Sequence, residues 1–167
     1  MGISLGRELE TSLHDLLRQR KEFLLNRWYQ RALDEYAGET ASFLRRQSDR
    51  FANPVAFALK AAAEAIYQAL IDDNEVDRGV LEYAIKIKAV QENDLSKGVA
   101  FILLLKETVR EAMGESVPQD KLADFNARID QIVSVASEMF VLNRARIAEI
   151  AGREALRRES TPVFREI

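Results

Sequence analysis

A single histidine, His14, is the first constraint on the chemistry open to this 167-residue chain. Hydrolytic and acyl-transfer triads need a general base beside a nucleophile, with an acid to orient it, and histidine usually fills that role. His14 stands in a charged amphipathic segment, and no G-x-S-x-G elbow occurs. Glu10 and His14 are four residues apart and would share a helix face. A di-iron centre in a bundle needs two Glu-x-x-His motifs and further carboxylates, which one histidine cannot supply. Acid–base work by carboxylates such as Glu64 or Glu107 would need a pairing that the sequence does not single out.

The acidic stretch Asp72-Asp73-Asn74-Glu75-Val76-Asp77 offers oxygen ligands, yet no register puts a glycine at the sixth position of a calcium loop. It reads as a solvated connection. The phosphate-cradling patterns, Walker A and G-x-G-x-x-G, are missing. Cysteine is absent, which removes thiolate catalysis, disulfides, iron–sulfur clusters and cysteine-ligated zinc together. The expectation is a non-enzymatic protein with no catalytic residue, no metal site and no cofactor.

Arginines and lysines cluster at Arg18, Arg20 and Lys21, at Arg45, Arg46 and Arg50, and from Arg144 through Arg146 and Arg153 to Arg157 and Arg158. Each cluster is interleaved with acidic residues, and the net charge is -3, so solvated helix faces are expected and neither nucleic acid nor an anionic membrane is the expected partner. Met1 to Glu10 carries charges where a leader needs an apolar stretch, and the longest uninterrupted apolar run, Val99 to Leu105, is too short to cross a bilayer. A cytoplasmic protein is inferred.

The elements that must carry any function are helices. Apolar residues recur at three- and four-residue spacing throughout, with no period-2 segment, so the fold class is all-α. The spacing predicts helices over roughly Leu5 to Leu17, Lys21 to Tyr36, Val55 to Ala69, Arg78 to Gln91 and Leu95 to Met113, with a short one inside Ala41 to Asn53. Asn53-Pro54 is a start signal, a capping side chain followed by a residue that needs no N–H donor. A single domain over 1–159 with a tail over 160–167 is expected.

From Gln119 the positions Leu122, Phe125, Ile129, Ile132, Ala136 and Met139 form a near-heptad seam that continues to Ile147 and Ile150. A helix running to Gly152 would be about 50 Å long, more than the diameter of a globule of this size, so part of it should project or pack on a partner. The six seam residues are the expected interface of a homodimer.

The residues Phe43-Leu44, then Asp49, Arg50, Phe51, Ala52, Asn53 and Pro54 ahead of an amphipathic helix, resemble the RsbRD-type N-terminal domain family, the sensory domains of RsbT co-antagonists. The run Ser96-Lys97-Gly98-Val99 through Lys106, and Trp28-Tyr29 upstream, are similar to the same pattern. The resemblance implies a globin-like helical bundle of about six helices without haem, dimerisation through helices, and a signalling role in stress response. In that family the long last helix leads into a phosphorylatable STAS domain. With the chain stopping at Ile167, a stand-alone sensor-like domain is expected.

Two functions from different classes follow. One is a signalling module acting through contacts with an unidentified protein partner. The other is a small-molecule-binding domain whose interhelical pocket is lined by Trp28, Phe51, Phe57 and Phe101. The motif residues Asp49, Arg50, Phe51, Asn53 and Pro54 admit both a capping role and, at Arg50 and Asn53, contact with a ligand.

Overall fold

Seven α-helices and no strand are found among the described residues of the computed structural model, which are 12–36, 38–46, 51 and 53–161. The first, α1 (Leu13–Gln19), begins where the Ser12 hydroxyl accepts the Asp15 N–H at 3.1 Å. Of the helix expected over Leu5 to Leu17, residues 5–11 lie outside the described residues. Helix α2 (Lys21–Asp34) follows after Arg20 alone and buries Leu24, Trp28, Ala32 and Leu33.

Helix α3 (Gly38–Arg46) is short and opens three residues before the segment expected to hold it. Asn53 then does two things at once. Its side chain accepts the Ala56 N–H at 3.0 Å, capping α4 (Pro54–Asp72), and donates to the Leu44 carbonyl at 3.1 Å, tying α3 to α4. An Asn–Pro pair at a helix start is read easily from sequence. Its second bond to α3 is not.

Aspartates cap the next two helices. Asp77 accepts the Val80 N–H ahead of α5 (Arg78–Gln91), and Asp94 bonds Ser96 ahead of α6 (Leu95–Met113). The Ser96 hydrogen bonds hold the Asp94 carboxyl below its ordinary value. Helix α6 stops at Gly114, whose φ of 52° with ψ of -134° is open to glycine and costly for a side chain. A 3₁₀ turn, Gly114–Ser116, leads to Pro118 and the last helix, α7 (Gln119–Ser160). At 42 residues α7 is about 63 Å long. It passes through Gly152, the expected end, because one glycine costs an exposed helix only about 1 kcal/mol and good helix formers flank it.

Helix α7 packs along α5 and α6, α2 packs on α4 and α6, and α4 packs on α5. Trp28, Ile66, Tyr67, Ile85, Ile102, Leu105, Ile129 and Phe140 are fully buried between them. The apolar run in α6 is central on the sides of Val99, Phe101, Ile102 and Leu105, but Leu103 is exposed, since the neighbouring helices α2, α5 and α7 do not surround it. One described helix, Pro54–Asp72, reaches the length and mean hydropathy (1.2) of a membrane-crossing segment. Counting unbroken apolar runs misses it, because its apolar character comes from alanines spread along 19 residues. Ten of those residues are buried in the bundle.

The seam of α7 is where the structure departs furthest from expectation. Phe125, Ile129, Ala136 and Met139 are buried within the chain's own core, with Leu122 and Ile132 packed partly buried against it. The chain's own core thus covers four of the six residues expected to pair with a second copy, and Leu122 and Ile132 only in part. Their spacing matches a coiled-coil seam because α5 and α6 demand the same stripe from a neighbour inside the chain.

Candidate functional site

The four aromatics expected to line one pocket do not converge. Trp28 and Phe101 are core residues joined by a hydrogen bond, the indole N–H donating to the Phe101 carbonyl at 2.6 Å. Phe57 is half-exposed and Phe51 is 90% exposed. Of the motif residues, Asn53 and Pro54 build the α4 start, while Asp49 and Arg50 lie outside the described residues.

Helix α7 has a second apolar face that the seam obscured. Val141, Ala145, Ala148, Gly152 and Leu156 step by four, three, four and four residues and fall on one stripe, with Val135 and Leu142 alongside. That stripe points away from the buried one. Val141 is 55% exposed, Leu142 58% and Leu156 68%, and every residue from Ala148 to Thr161 is exposed. The last 13 residues of the helix, about 20 Å, therefore stand clear of other described elements. Most surface helices are charged on the face that meets solvent.

Three arginines serve as caps, and two of them, Arg20 and Arg144, belong to clusters expected to be solvated. Arg128 of α7 closes the end of α4, donating from Nη1 to the Leu70 carbonyl (3.2 Å) and the Asp73 carboxylate (2.8 Å), and from Nη2 to the carbonyls of Ala69 (3.3 Å) and Asn74 (3.1 Å). Arg144 does the same for α5 through the Ala89 carbonyl at 3.0 Å, and Arg20 for α6 through Ala112 at 2.5 Å. Cations satisfy the orphan carbonyls and the dipole of a helix C-terminus. Sequence reading had no signal for these pairings, which join residues more than fifty positions apart.

Asp73 is the pivot of the α4 cap. It adopts a left-handed φ of 53°, which aspartate tolerates better than most residues, and its Oδ1 lies 3.3 Å from His14 Nε2 as well as on Arg128. The lone histidine is thus a half-exposed partner of a cap, and no nucleophile adjoins it among its described bonds.

Two cavities flank Arg128. One, about 790 Å³, opens between α1 and the start of α7, and the other, about 350 Å³, lies between the α4–α5 connection and the middle of α7. Elsewhere, Lys88 is buried with its ammonium 4.5 Å from the centre of the Tyr36 ring. Burial lowers its pKa, against the pull of Glu92 and Glu35. Burial and then Glu92 push the Tyr36 phenol up to about 12. No group of three or more metal-ligating side chains occurs among the described residues.

The bundle is all-helical among its described residues, and its last helix outruns the core and keeps an apolar face in solvent. Residues 24–155 match the family described as the RsbT co-antagonist protein rsbRD N-terminal domain, and the chain belongs to that family. Membership makes it a domain of a sensory and signalling class. Searches of curated proteins and of solved structures found no match.

Proposed function

We propose that this domain is non-enzymatic and signals through protein contacts made along the outer face of α7, pairing there with a second copy and, through it, engaging a signalling partner in a stress-response pathway. One observation carries the reading: α7 has two apolar faces, and the bundle covers one. From Val135 to Leu156 the uncovered face is about 32 Å long, and Val135, Leu142 and Leu156 repeat at multiples of seven with Glu149 as the polar exception. Glu149 has an intrahelical partner in Arg153 at 2.5 Å. A globin-like fold without haem belongs to this reading. A cytoplasmic setting is part of the same reading.

Light scattering on the full chain tests it. A dimer that becomes a folded monomer in the Val141→Glu, Leu142→Glu double variant supports pairing on this face. A native monomer at working concentration, or a double variant of unchanged mass, overturns it. The small-molecule reading retains one specific support, the groove beside Arg128.

A further inference from the structure

We propose that the groove between the α4–α5 connection and α7 binds an apolar α-amino acid as its zwitterion. This goes beyond the contact reading and does not rest on pairing. The groove encloses about 350 Å³, near the lower end of volumes typical of small-molecule sites. Leu81 and Met139 form its floor and are almost completely buried, so their positions are set by the core. Ile132 and Val135 supply an apolar wall from α7.

The polar groups at the mouth show what kind of molecule would complete it. Arg128 is already engaged by four bonds and acts as rigid wall. Arg78 and Glu75 also line the groove, and neither side chain makes a hydrogen bond or ion pair with another described residue, including each other. Arg78 moreover stands in the first turn of α5, where the helix dipole disfavours a cation. A residue that breaks a local rule with no compensating contact is a candidate for function. A free guanidinium, a free carboxylate and an apolar floor between helices match a carboxylate, an ammonium and an aliphatic or aromatic side chain on one small molecule. A fatty acid would leave Glu75 unanswered, and an amine would leave Arg78 so.

The test is calorimetric titration of the full chain with L-leucine and L-phenylalanine. The single-charge analogues 4-methylpentanoate and 3-methylbutylamine, and glycine, which lacks the apolar side chain, serve as comparisons. At least one of the two amino acids should bind more tightly than about 1 mM, and each analogue about tenfold or more weakly, since each drops a charge-assisted bond or the apolar contact. Arg78→Gln and Glu75→Gln, both at exposed positions, should each weaken binding about tenfold while leaving the melting curve unchanged. Absence of binding by both amino acids overturns the proposal. So does binding that survives both substitutions, which would place the ligand elsewhere. An analogue binding as well as leucine, with one of the two substitutions silent, overturns the zwitterion assignment.

Discussion

Gly98 of α6 faces the ring of Phe140 of α7 so closely that a Cβ at residue 98 would overlap the ring carbons. Phe140 is 2% exposed and hemmed in by the core, so it cannot swing away. The glycine in the Ser96-Lys97-Gly98 stretch therefore sets how near the two longest-packed helices approach. Gly98→Ala should lower stability by about 1–3 kcal/mol through overpacking, in spite of alanine's better helix propensity. Urea unfolding checks this, and Phe140→Leu in the same chain should recover part of the loss. An alanine variant as stable as the parent would show that the helices can separate at no cost.

The two faces of α7 should respond oppositely to truncation. Met139→Ala removes a buried side chain and should cost about 2–5 kcal/mol, whereas Val141→Ala, two positions on and exposed, should stay within about 0.5 kcal/mol in the unassembled chain. Chemical denaturation at low protein concentration separates them. A charge at Met139, which is 4% exposed, should destabilise the bundle itself, so that site cannot report on pairing.

Loss of the Arg128 clamp should open the end of α4 before anything else. Arg128→Ala leaves the Ala69, Leu70 and Asn74 carbonyls without their guanidinium donor, at a cost of about 1–3 kcal/mol. Hydrogen exchange should quicken at the Asn74 amide, which donates to Ala69 at 3.0 Å, while amides in α6 keep their protection. Uniform loss of protection across the chain would refute a local role.

Alkaline pH should act on Lys88 and Tyr36 with opposite signs. Lys88 titrates below its ordinary 10.5 when folded, so between its folded value and 10.5 the unfolded chain binds more protons and stability rises with pH. Tyr36 moves from 10.0 to about 12, so from pH 10 to 12 the folded chain holds the proton longer and stability falls. Denaturant midpoints measured in steps from pH 8 upward should show a rise in the parent that is missing in Lys88→Met. Equal slopes in the two proteins would mean that Lys88 is not desolvated as its burial implies.

Much of this protein was legible in one dimension. The all-α class, the Asn53-Pro54 start and the glycine stop after Met113 each follow from interactions within a turn or two, which depend on neighbours in sequence. The family was legible too, because its motif residues include caps such as Asn53 and a close-packing glycine, Gly98. What did not come through was the allocation of surfaces. Trp28 and Phe101 meet in the core while Phe51 and Phe57 face solvent, and no local pattern separates a ring that fills the core from one that does not.

Helix α7 marks the boundary between the two kinds of information. That it is a long helix with an apolar stripe is a property of its own residue spacing, since backbone hydrogen bonding and 3.6-residue periodicity operate along one segment. That the stripe through Phe125 and Met139 is taken by α5 and α6, leaving the one through Val141 and Leu156 uncovered, was decided only by tertiary structure. So was the use of Arg20, Arg128 and Arg144 as caps for helices far away in sequence. Burial and long-range hydrogen bonds depend on which elements the folded chain brings side by side, and periodicity along a single helix carries no record of its neighbours.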